Sequence, residues 1–202
     1  VQHSQEFTDA SAAFVGVVRQ VLSADWERPA LGTWSVRSLV GHTARALTTV
    51  EEYLALGEPD SPTVGSAEEY FSTFITGATD PGQVALRGVE AGERLGADPL
   101  VAILAARERA LAVLAVQRPG RIIAVRGAAL PLGEYLRTRV FELVVHSLDI
   151  TRAINADADI PRAPLAGSVL LAASIASATG SGEVLLAALT GRGRLPSGFS
   201  VI

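Results

Sequence analysis

The chain has 202 residues, enough for one domain with a sizeable core and short for two. Its net charge of −4 is spread without a basic block, which argues against a nucleic-acid partner. All 17 basic residues are arginine and cysteine is absent, which excludes P-loop and Schiff-base lysine chemistry, disulfides, Cys-ligated zinc and any thiol nucleophile of the chain's own.

In chain order, a first helix is expected from Thr8 to Ser23, with Phe14, Val17, Val18 and Leu22 on its apolar stripe. A loop carrying Trp26, Pro29 and Gly32 follows. TWSVRSLVGH then reads as a helix start, with Thr33 or Ser35 as N-cap before an apolar series of Val36, Leu39, Val40, Leu47 and Val50. That helix should reach Leu56, where GEPDSPTVGS breaks it. A short helix from Ser66 to Thr79 is closed by glycine, Asp80-Pro81 opens another, and a strongly amphipathic helix starts near Asp98. Within it, Arg107, Glu108 and Arg109 read as a solvated face. RIIAVRG suits a short extended connector ending at Gly127. A helix over Leu132–Ile154 comes next, then, past NADADIPRAP, helices near Leu165–Ala178 and Gly182–Leu189 and an irregular tail.

VQHSQEFTDAS lacks the basic region and apolar run of an export signal. Ala163–Gly182 carries no charge, but Pro164 and several Ser, Gly and Thr residues dilute it, so a buried core helix is expected rather than a membrane span. A cytoplasmic protein without membrane contact follows. Long helices with little strand signal predict an all-α bundle, a single domain over 1–202 with no internal repeat. Apolar helices such as Leu165–Ala178 suit either a core or a homodimer face.

Two of the most apolar helical stretches carry the polar residues that matter most. FELVVHSLDI holds Glu142 and His146 at i, i+4, on one helix face, and LVGHTARAL holds His42. On a wheel of 100° per residue, Tyr135, Arg139, Glu142, His146, Asp149 and Ala153 form a narrow stripe on an otherwise apolar helix. A solvent-facing side shows a broader polar arc, so this stripe reads as interior. Unpaired buried charges are costly, and a divalent metal satisfies two imidazoles and a carboxylate together; two His and one Glu make a catalytic zinc ligand set. Three plainer readings compete. His42 could be a core histidine bonded to a backbone carbonyl, and Glu142–His146 an ordinary surface pair. Arg139, one turn before Glu142, could neutralise it in a metal-free protein, or instead hold a substrate carboxylate with its planar fork. Asp149, three residues beyond His146, could accept from an imidazole N–H or simply face Arg152 on the surface. His3 lies in the terminus and is set aside.

The stretch Trp34 to His42 (WSVRSLVGH), followed by Arg139 to Asp149 (RVFELVVHSLD), resembles the mycothiol-dependent maleylpyruvate isomerase family of the DinB/YfiT-like superfamily. The resemblance covers most of the chain. It implies a four-helix bundle with a long crossover, here with extra C-terminal helices. It implies a divalent metal on His42, Glu142 and His146, zinc being expected and nickel or another ion acceptable; Arg139 and Asp149, from their place on the same stripe, are the catalytic candidates. It implies mycothiol as a low-molecular-weight thiol cosubstrate acting on a small electrophile, in a thiol transferase or isomerase reaction. The Arg-only, Ala-rich composition fits a GC-rich, actinobacterial source, where mycothiol is that thiol. The isomerase carries a further small C-terminal α/β domain for which this chain leaves no room, so a related thiol transferase is expected in preference to maleylpyruvate isomerisation. A metal-dependent hydrolase of the same fold and a non-catalytic metal-binding or structural bundle are the alternatives.

Overall fold

In the computed structural model, which describes residues 1, 3–75 and 81–201, four long helices make the frame. They are α1 (Ser4–Val18), α2 (Val36–Leu54), α5 (Pro99–Ala115) and α6 (Leu132–Ile154). Each packs on two others: α1 on α5 and α6, and α2 on the same two, which closes a four-helix ring. Between α2 and α5 the chain makes a long excursion through α3 (Ala67–Tyr70), a π-helical turn (Phe71–Ile75) and α4 (Pro81–Arg94). Two further helices, α7 (Arg162–Ala178) and α8 (Gly182–Leu189), follow; α7 lies against α6 and carries α8. The all-α bundle with long crossover and C-terminal helices is therefore what the chain forms.

Helix ends follow side-chain chemistry. Of the two expected caps for α2, Ser35 takes the role, its hydroxyl accepting from the Ser38 N–H. Asp98 caps α5 through the Val101 N–H, with Pro99 at the first helical position, where its missing N–H costs nothing. At α6 the chain leaves the helix through Asn155, whose φ of 56° is a left-handed stop.

The first helix is shifted toward the N-terminus, starting at Ser4 rather than Thr8 and ending at Val18 rather than Ser23. It ends at Val18 because the Asp25 carboxylate accepts from the Leu22 N–H and pairs with Arg28 at 2.8 Å, drawing residues 22–28 into turns. Leu22, expected on the apolar stripe, is exposed. The RIIAVRG connector is one strand of a hairpin: β3 (Ile122–Val125) pairs antiparallel with β4 (Ala128–Pro131). Arg126 and Gly127, both at positive φ, make the two-residue turn whose twist suits such a hairpin. A smaller pair, β1 (Pro29–Leu31) and β2 (Trp34–Ser35), leads into α2. The expected reach of the Ser66 helix to Thr79, and the Asp80 helix start, lie outside the described residues.

One close approach places α4 against α2. A Cβ on Gly41 of α2 would lie 2.2 Å from the Gly92 nitrogen of α4, so the two helices touch backbone to backbone there. Of the expected solvated face, Glu108 and Arg109 are exposed and Arg107 is half-buried. Arg107 donates to Ser11 Oγ at 2.9 Å and to the Thr8 carbonyl, tying α5 to α1, and Arg109 pairs with Glu51 of α2. The uncharged stretch expected as a buried core helix is buried along one side only. Leu171 and Ile175 pack with Phe71 and Phe141, while Val169 and Leu170 are exposed. Among the described residues, no helix is long and apolar enough to cross a membrane.

Candidate metal centre

The α2–α6 contact brings together residues 100 positions apart in sequence, His42 and Glu142. His42 lies in the second turn of α2 after the Ser35 cap, and Glu142 and His146 lie mid-way along α6, one turn apart. Glu142 Oε2 sits 3.7 Å from His42 Nε2 and 3.2 Å from His146 Nε2. One ligand atom from each of the three falls within 4.8 Å of the others. Their side chains are 22%, 22% and 14% exposed for His42, Glu142 and His146, so this is not an outward-facing surface pair.

These separations fit a small divalent ion. Ligand bonds of about 2.0–2.1 Å in tetrahedral geometry place neighbouring donor atoms about 3.3 Å apart, between the two distances observed. The donor chemistry agrees, since both imidazoles present Nε2 to the carboxylate oxygen. His146 Nδ1 is taken up by Asp149 Oδ2 at 3.2 Å, and Asp149 Oδ1 accepts from Arg152 Nη1 at 2.9 Å. Asp149 therefore both orients the imidazole and faces Arg152, combining the two roles its spacing allows. His42 is not a carbonyl-bonded core histidine: its Nδ1 is buried and, among the described residues, meets no hydrogen-bonding partner.

Electrostatics sorts the charges. Burial alone would push Glu142 up, but hydrogen bonds from His146 and His42, aided by the Arg139 charge, hold it well below the usual carboxylate range. Burial opposes a proton on His146, yet the carboxylates of Asp149 and Glu142 outweigh it and push this imidazole up to about 9. At His42 burial prevails over Glu142 and lowers it from the ordinary histidine value. Without a cation, then, the set is a carboxylate between one protonated and one neutral imidazole.

Arg139 comes near Glu142 without pairing with it. Among the described residues no ion pair joins the two; the guanidinium carbon instead stands 4.9 Å from the Tyr135 ring centroid, and Nε donates to Thr138 Oγ1 at 3.1 Å. Tyr135 is fully buried, its hydroxyl donating to Thr49 at 2.7 Å, and burial pushes its phenol up to about 12. The partners in contact with Glu142 are thus the two imidazoles, of which His146 carries the charge, and Arg139 acts on it only at a distance.

Four residues at this centre carry no role in the sequence reading. Trp34 stacks on His42, ring centroids 4.5 Å apart, and Tyr135 and Thr138 support Arg139, with Tyr53 edge-on to Tyr135 at 5.8 Å. Two of them were within reach of sequence: Trp34 opens the same short stretch that ends in His42, and Tyr135 shares the stripe of Arg139 and Glu142.

A family model described as the mycothiol maleylpyruvate isomerase N-terminal domain matches residues 7–151, which includes all five residues of the centre and its flanks. No curated protein and no solved structure matches the chain.

Proposed function

Since the chain belongs to the mycothiol maleylpyruvate isomerase N-terminal domain family, we propose that it is a divalent-metal, mycothiol-dependent enzyme that adds a thiol to a small electrophile, in a transferase or isomerase reaction. The observation that supports this best is the meeting of His42, Glu142 and His146 from two distant helices with donor spacings that suit one ion. Those three side chains would hold the ion, with zinc the expected occupant and nickel or another divalent ion compatible with the same donors. Bound there, it supplies Lewis acidity that keeps a thiol in its thiolate form near neutral pH.

The chain's own groups do the rest. Having no cysteine, it must take its sulfur nucleophile from a cosubstrate, which is the part the family assigns to mycothiol. Glu142 stays ionised throughout the neutral range and supplies the one negative ligand. Asp149 holds His146 by Nδ1 and so keeps Nε2 aimed at Glu142. Because His146 holds its proton up to about 9 in the ion-free protein, loading the centre exchanges that proton for the ion. Arg139 has its terminal nitrogens free of hydrogen bonds among the described residues, and it would orient an acidic group on the electrophile with them.

The test is elemental analysis of the purified protein, followed by turnover of electrophiles with and without mycothiol. About one divalent ion per chain, and turnover that requires the thiol, are expected. Turnover without thiol would make the protein a metal-dependent hydrolase, and absence of metal together with no thermal shift on chelation would make it a structural bundle.

A further inference from the structure

The two candidate imidazoles are held by different means. His146 leans on a carboxylate, Asp149, which is itself fixed by Arg152. His42 has no such partner: its Nδ1 is buried and bonds to nothing among the described residues. Two rings bear on its imidazole: Trp34 face to face at a tilt, with centroids 4.5 Å apart and planes inclined at 35°, and His146 edge-on at 5.1 Å. The indole is itself immobilised from α4. Its Nε1 donates to the Ala85 carbonyl at 2.9 Å, and its ring fills the space beside Gly88, where a Cβ would come within 2.4 Å of the indole atoms. Gly41, the residue before His42, is pressed against α4 at Gly92, so the same helix fixes both the indole and the turn that carries the imidazole.

We propose that Trp34 is a positioning residue for His42, its stacked ring replacing the hydrogen-bond acceptor that ordinarily orients a ligand imidazole. The inference rests on the metal-centre reading above and deepens it. The stack sets the plane of the His42 ring. A half-turn about χ2 relates the two orientations which that plane allows, and the observed one presents Nε2 to Glu142 at 3.7 Å. One imidazole of the centre is thus oriented by charge and the other by an aromatic face. Packing of α4 against α2 therefore bears directly on ion affinity, although α4 contributes no ligand.

The test is titration of the ion-free protein with Zn²⁺ for affinity and with Co²⁺ for the visible spectrum that reports ligand geometry. Trp34→Phe keeps an aromatic face but loses the bond to Ala85, and is expected to weaken binding less than Trp34→Leu does. Trp34→Leu keeps apolar bulk without the ring face, and is expected to weaken Zn²⁺ by about 10–100-fold, the range for losing an orienting partner, and to change the Co²⁺ spectrum. Gly88→Ala leaves the indole chemically intact but displaces it, so it is expected to weaken binding in the same direction; it decides the matter alone if Trp34→Leu does not fold. Parental affinity and spectrum in Trp34→Leu or Gly88→Ala would overturn the proposal, as would equal weakening by Phe and Leu. A parent protein that binds neither ion would instead sink the metal-centre reading itself.

Discussion

Helices α6 and α8 use their residues in opposite ways. α6 turns Glu142 and His146 inward, where they are 22% and 14% exposed, whereas α8, with the far more apolar sequence GEVLLAAL, buries none of its residues and leaves Leu186 and Leu189 in the open. Burying one leucine side chain contributes about 1.5–3 kcal/mol, while burying an unpaired charge costs several kcal/mol. Apolarity alone would therefore rank α8 in the core and expel the centre of α6. The reversal holds because the polar groups of α6 have partners: Glu142 meets the imidazoles of His146 and of His42 from α2, and His146 meets a second carboxylate. A polar group kept inside at that cost marks a site more reliably than any run of leucines marks a core.

The contrast between these helices breaks most visibly at the three candidate ligands. His42→Ala or His146→Ala should each take bound divalent metal from about one ion per chain to none, read by elemental analysis. Retention of metal in both would remove the reason for burying these side chains. Next in size are the leucines. Leu143, fully buried on α6, should cost about 2–5 kcal/mol when changed to alanine, whereas Leu189→Ala on α8 should stay within about 0.5 kcal/mol, both read by denaturant unfolding. Equal costs would mean that the outer face of α8 is covered in solution. Asp149→Asn should leave the fold intact and weaken metal binding by about 10–100-fold, measured by competition with a chelating dye. The last effect is on pH. In ion-free protein the folded state holds the His146 proton up to about 9, while the unfolded chain releases it near 6.5. Folded protein therefore binds more protons across that window. The stabilisation from His146 is complete below about pH 6.5 and is lost as pH rises through about 9. Denaturant midpoints on the two sides of the window should fall in the parent and stay level in His146→Gln.

Much of this was legible along the chain wherever the deciding contact is local. The i, i+4 relation of Glu142 and His146 is a property of one helix, and so is the cap at Ser35. The close of the extended connector at Gly127 is visible because the turn needs positive φ there. Where a distant side chain intervenes, local pattern misleads. α1 ends at Val18 where Asp25 captures the Leu22 N–H, and Arg107 is drawn partly out of the solvent because Ser11 on another helix accepts from it. β4 is hidden for a related reason: Ala128, Ala129, Leu130 and Pro131 carry no strand signature and are extended because Ile122–Val125 pairs with them and the Ala129 carbonyl accepts from Thr63 and Val64. The stretch 163–182 looked internal because it lacks charge, but lack of charge only permits burial, and α6 covers one side of α7.

What sequence alone determined is the helical frame, the single polar stripe along α6 and the candidate identity of His42, since caps, periodicity and scarcity of histidine are read within a turn or two of backbone. Only the tertiary structure decided that α2 and α6 pack with Nε2 of His42 on the carboxylate of Glu142, that Arg139 turns to Tyr135 instead, and that Trp34 stands over His42 under pressure from α4. Those outcomes depend on how helices far apart in the chain close against one another. Interior packing is dense enough that a glycine at 41 or 88 sets the distance, and no local periodicity carries that information.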